Sequence, residues 1–133
     1  MEFWKLLTNK LLFRNDTSIK SKMNWNHLNS IEQLEEIKKE SIERPVMIFK
    51  HSTSCSISSA SLSRMERSWN EEEAKNMKVY YLDLLNNRGL SSAVAEEFKV
   101  EHQSPQVILI KNGERIYDES HFGISFQDIV SVA

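Results

Sequence analysis

Leu28, Ile31, Leu34 and Ile37 recur at helical spacing among Glu32, Glu35, Glu36, Lys38 and Lys39, and Ser30 with Gln33 has the spacing of a capping box. This pattern predicts a helix over about 31–40. Pro45 ends it, and Val46-Met47-Ile48-Phe49 follows as a continuous apolar run of the kind found in strands covered on both faces, which predicts a central strand. From Cys55 the chain meets no Gly or Pro until Gly89. Within that stretch Ile57, Ser61, Leu62, Met65 and Trp69 form an apolar stripe opposite Arg64, Arg67 and the run Glu71-Glu72-Glu73. A long second helix therefore starts at or just after the cysteine.

"KVYYLDL" (78–84) reads as a further strand, and "SSAVAEEF" as a third helix with a serine cap. "HQSPQ" breaks the chain before the apolar run Gln106 to Lys111. Asn112-Gly113 is a strong hairpin signal, because both central positions of a type I′ turn need positive φ, and it joins that run to "ERIYDES". A last short helix starts at Ser125, where Ser125 and Asp128 repeat the capping spacing. With an early extended segment near Trp25 to Leu28, the order is that of an α/β thioredoxin-like fold: a mixed four- to five-stranded sheet flanked by helices.

The 133 residues suit one domain with one core. Residues 25–133 form that domain. Residues 1–24 read as an N-terminal amphipathic extension, with Phe3, Trp4, Leu7 and Leu11 on one side of a helical wheel and five basic against two acidic side chains. Lys5, Thr8, Asn9 and Lys10 break its apolar run too often for a signal peptide, and it is too short to span a bilayer. A weakly basic amphipathic helix can rest on an anionic membrane; an accessory helix on the domain, or a loose extension, is the preferred reading. With 17 basic and 19 acidic residues and no basic block, nucleic acid is not an expected partner.

One cysteine excludes an internal disulfide, and no second cysteine stands near the four histidines to suggest a zinc site, so no metal is expected. A free thiol points to a reducing cytoplasm. In "SCSIS" (54–58), Cys55 takes the cap position of the second helix. The free amides of Ile57 and Ser58, with the positive end of the helix dipole, favour thiolate over thiol there. Cys55-x-x-Ser58 has the spacing of a redox motif whose second cysteine is replaced by serine. A hydroxyl can hydrogen-bond to Cys55 but cannot resolve a disulfide, so a mixed disulfide would await an external thiol. Ser104-Pro105, just before an apolar strand, stands where thioredoxin-like folds keep a cis proline beside the cysteine, turning the backbone toward an extended partner. A lone cysteine is more often a small buried hydrophobe, and a serine such as Ser58 plain helix surface; the combined placement outweighs both readings. His51 reads as the end of a strand and receives no role.

"FKHSTSCSIS", "HQSPQVILIKNG" and "SHFGIS" resemble the monothiol bacilliredoxins of the YtxJ type, thioredoxin-like proteins of the bacillithiol system in Gram-positive bacteria. The similarity runs from about Trp25 to the C-terminus. The family motif, Thr-Cys-Pro-Ile-Ser, falls on Ser54, Cys55, Ser56, Ile57 and Ser58, so that Ser54 and Ser56 replace Thr and Pro. Serine at 56 removes a fixed φ and adds an amide next to the thiol. The resemblance implies removal of bacillithiol from protein cysteines through Cys55. Bacillithiolated proteins are then the partners and bacillithiol the thiol co-substrate, with no tightly bound cofactor. Two other readings stay open. One is a monothiol glutaredoxin-like iron–sulfur carrier, whose Gly-rich segment after the cysteine is missing here; the other is a non-catalytic interaction module with an inert Cys55.

Overall fold

A computed structural model describes residues 23–133. The amphipathic pattern of Phe3 to Leu11 lies outside them. Eleven short elements follow in order: β1 (Asn26–His27), α1 (Glu32–Glu43), β2 (Val46–His51), α2 (Ser56–Ser68), β3 (Lys78–Asp83), a 3-10 turn (Leu84–Asn86), α3 (Arg88–Glu97), β4 (Gln106–Lys111), β5 (Glu114–Ser120), a second 3-10 turn (His121–Gly123) and α4 (Phe126–Val132). The strands form one sheet in the order β1-β3-β2-β4-β5. β3 runs parallel to β1 and to β2, whereas β4 is antiparallel to both β2 and β5.

β2 is the middle strand, and all six of its residues are buried, as its unbroken apolar start predicts. Successive side chains of a strand point to opposite faces. Met47 and Phe49 accordingly join one core with Met65 of α2, Trp69, and Phe126 and Ile129 of α4. Val46 and Ile48 join the other with Leu34 and Ile37 of α1 and Leu90 and Val94 of α3. Two helices thus cover each face. Met23 is buried in the first of these cores, and the indole N–H of Trp25 donates to Glu66 Oε2 at 2.9 Å.

Four local expectations are corrected. Gln33 Oε1 accepts from the Ser30 N–H (2.9 Å), but Ser30 Oγ caps no helix amide, and α1 extends to Glu43. Ile57, expected on the inner stripe of α2, is 38% exposed, and Ser58 faces inward in its place beside the expected Ser61 and Met65. α2 stops at Ser68, short of Glu71-Glu72-Glu73, because the Asn70 side chain takes the amides of Glu72 (2.9 Å) and Glu73 (3.3 Å) and competes with helix continuation. Ser91 does not cap α3. The Asp83 carboxylate accepts from the Leu85 N–H and the Asn86 side chain and folds the 3-10 turn; α3 therefore starts earlier, at Arg88, with Ser91 buried inside it.

The hairpin and the last helix form as the sequence predicts. Asn112 and Gly113 have φ of 55° and 80°, and Ser125 Oγ accepts from the Asp128 N–H. The turn is also anchored: buried Ser41 of α1 receives the Asn112 N–H on its carbonyl (2.8 Å) and the Gly113 N–H on its hydroxyl (2.7 Å). Gly113→Ala, forced to keep a left-handed backbone, is expected to lose about 1 kcal/mol. Urea unfolding would show it as a lower midpoint at constant slope.

Candidate functional site

The serine-rich loop gets its shape from one hydroxyl. Ser58 Oγ, fully buried one turn into α2, accepts from the Ser52 N–H (3.0 Å) and lies 2.6 Å from His51 Nδ1. Burial holds His51 below the usual histidine range, partly opposed by the charges of Asp83 and Glu66. The imidazole is therefore neutral near pH 7, and the Ser58 O–H donates to its Nδ1. The donor and one acceptor lone pair of the hydroxyl are used on the strand side. Ser58 is therefore buried support and not helix surface, and it pins the end of β2 to the start of α2.

The loop then turns on the Cys55 N–H, which donates to the Ser52 carbonyl at 3.1 Å, and the Cys55 carbonyl accepts the first helical bond from Ser59 at 3.1 Å. Cys55 is the extended N-cap of α2 (φ −112°, ψ 123°), and its side chain makes no cap hydrogen bond. The expected contact with the helix amides is not formed, in keeping with the weak acceptor character of sulfur. The thiol is half-buried and free. Ser54 precedes it in the exposed loop, with a hydroxyl contact to Ser52 (3.3 Å). Ser56 opens the helix at a position that also accommodates proline.

Cys55 stands at the edge of a cavity of about 490 Å³. Ser104 borders the same cavity, and the Ser104–Pro105 bond is cis. The structure thus brings together the cysteine and the proline segment, which are fifty residues apart in sequence. Ser52 of the loop, Arg88, Ser91 and Ser92 of α3, Leu84 and Leu85 of the 3-10 turn, and His102 complete the wall.

Beneath this wall lies a group that the sequence reading passed over. Lys50, 0% exposed, places its Nζ 3.2 Å from His102 Nδ1, and Ser91 Oγ lies 3.2 Å from the same nitrogen. An ammonium cannot accept, so Nδ1 does, leaving the ring proton on Nε2. Burial pulls the Lys50 amine down to about 8; burial and the neighbouring Lys50 charge lower His102 as well. A lysine inside the "VMIFKH" run was the available signal. Among the described residues, no three His, Cys, Asp or Glu side chains form a metal-ligand group.

The strand order, the cysteine heading α2 and the cis proline ahead of β4 define the chain as thioredoxin-like, with an oxidoreductase fold. The sequence profile of the family "Monothiol bacilliredoxin BrxC" matches residues 26–129, and the chain belongs to that family. A solved structure described as a putative oxidoreductase with a thioredoxin fold is 30% identical, with a TM-score of 0.69 over 80% of this chain and 91% of its own. A thioredoxin of Malassezia sympodialis (Mala s 13) matches at 16% identity and TM-score 0.66, over 86% of this chain and 94% of its own. A mutant thioredoxin of Halobacterium salinarum matches at 14% and 0.62, over 82% and 87%. The last two share the fold. Among the described residues no helix is long and apolar enough to cross a membrane.

Proposed function

We propose that the protein is a monothiol thiol–disulfide oxidoreductase that removes bacillithiol from protein mixed disulfides in the cytoplasm. The Cys55 thiolate attacks the bacillithiol sulfur. The target cysteine leaves as a thiolate and takes up a proton, and a Cys55–bacillithiol disulfide remains. A second thiol then attacks that disulfide, frees Cys55 and carries the bacillithiol away as a new disulfide. Oxidation is passed on at each step and none is created.

The observation that carries this reading is a half-buried thiol, the only one in the chain, at a helix start and open to a ligand-sized cavity. An inert structural cysteine would instead be packed into one of the cores. Ser104 and Pro105 are assigned to hold the extended backbone of the target beside Cys55, and Ser54, Ser56, Ile57 and Ser58 to shape the loop that presents the thiol. Family membership and the 30%-identical oxidoreductase structure support the same chemistry.

Intact mass after incubation with bacillithiol disulfide, glutathione disulfide or buffer tests the proposal. The expected result is one bacillithiol per chain, mapped to Cys55, formed in preference to a glutathione adduct. Equal adducts from both disulfides would reject the bacillithiol assignment, and no adduct from either would reject thiol exchange.

A further inference from the structure

Most lysines and arginines of a folded chain are either solvated or matched by acid. Lys38 meets Glu35 and Glu97, Lys78 meets Glu40, and Arg115 meets Asp118. Lys50 is neither. It is wholly buried, its polar neighbour is the neutral nitrogen of His102, and among the described residues no carboxylate pairs with it. A desolvated cation without a counter-charge is a costly arrangement to retain.

The buried charge bears on one place. His102, the partner of Lys50, borders the cavity beside Cys55, and so does Arg88, an exposed cation that pairs with no carboxylate among the described residues. Ser104 Oγ, on the same wall, is buried without a hydrogen-bond partner. Ser91 and Ser92 add hydroxyls from the first turns of α3, whose cap residue Asn87 gives its amides no side-chain bond. Leu84 and Leu85 add apolar surface to the lining. The volume, about 490 Å³, is that of a small-molecule site.

We propose that this cavity is a carboxylate subsite, in which Arg88 and His102, the latter backed by the buried Lys50, hold the acidic end of a low-molecular-weight thiol while its sulfur reaches Cys55. The assignment rests on the thiol-exchange reading and deepens it: the residues that select the small thiol are named, and the selection is for negative charge. Arg88 supplies a two-pronged donor suited to a carboxylate. Lys50 keeps the His102 proton on Nε2 and adds its own field from below. The whole chain is net negative by 2, so a preference for an acidic thiol would run against overall charge and report the local site.

The rate of Cys55 adduct formation is to be followed by mass with two small disulfides, that of mercaptosuccinate, which is acidic, and that of 2-mercaptoethanol, which is neutral. Each rate is divided by that of free N-acetylcysteine with the same disulfide. The normalised acidic-to-neutral ratio is expected to be about tenfold or more. Arg88→Gln and Lys50→Met should each lower it several-fold, while Lys39→Gln, which removes an exposed charge from α1, should leave it in place. Separately, succinate titrated into Cys55→Ala should shift the amide resonances of Arg88, Ser91 and His102 saturably. A ratio near one, with adducts formed from both disulfides, would overturn the subsite and leave thiol exchange standing. No adduct from either would overturn exchange, and succinate shifts would then decide the subsite alone, their absence rejecting it.

Discussion

Ser58→Cys is expected to shorten the life of the Cys55 mixed disulfide by about a hundredfold or more, and Cys55→Ala to form no mixed disulfide at all. The wild-type chain has one thiol, so its adduct can be resolved only by a thiol from outside. Position 58 lies one helical turn past Cys55, where side chains at i and i+3 are neighbours. A thiol held there attacks at an effective concentration that no dilute external thiol approaches. The substitution has a cost, since Ser58 Oγ now accepts the Ser52 N–H and donates to His51, and sulfur does both poorly; about 1–2 kcal/mol of stability should be lost. Adduct loss is to be timed by intact mass after free thiol is removed. Wild type decaying as fast as Ser58→Cys would reject the monothiol mechanism, because the wild-type chain holds no group able to perform the second step.

Lys50→Met is expected to stabilise the fold by about 2–3 kcal/mol at pH 7, and the reason sets its pH dependence. Burial lowers the Lys50 amine from 10.5 to about 8. Below pH 8 both folded and unfolded chains are protonated there, and folding bears the full penalty of burying the charge. Between about 8 and 10.5 the unfolded chain binds more proton than the folded one, so wild-type stability gains from this group as pH rises. Tyr80 and Tyr81, whose hydroxyls are raised above 10, first by burial, oppose the gain above pH 10. They are present in both proteins and cancel in the difference. Paired urea unfolding curves at pH 7, 8, 9 and 10 should therefore show the advantage of Lys50→Met shrinking steadily. An advantage that grew with pH, or a destabilised variant, would show that the lysine is held charged at no cost.

The sheet was legible because its signals are local. A continuous apolar run can be buried on both faces only in a middle strand, and Asn112-Gly113 can hardly be anything but a tight turn. The place of Cys55 was legible for the same reason, lying where one period gives way to another. The support of the site was not. The inner face of α2 next to the thiol includes Ser58, which looks like surface, beside Ser61 of the expected stripe, while Ile57, which looks like core, faces outward. Hydrogen bonds explain the inversion, and their partners are set by the fold: His51 for Ser58, and the carbonyl of His121, sixty residues away, for Ser61. Lys50 and His102 are likewise separated by 52 positions. Asn70 and Asp83 moved helix ends by side-chain bonds to nearby amides, a competition that periodicity does not register.

Ser41 has a wider consequence. By taking both amides of the Asn112-Gly113 turn, a residue in the first third of the chain fastens the tip of the β4–β5 hairpin from behind. A hairpin at the edge of a sheet is ordinarily free to fray from its tip, independently of the rest. Here opening the tip also breaks two hydrogen bonds to α1, which couples the hairpin, and through β4 the proline segment that leads into it, to the first helix.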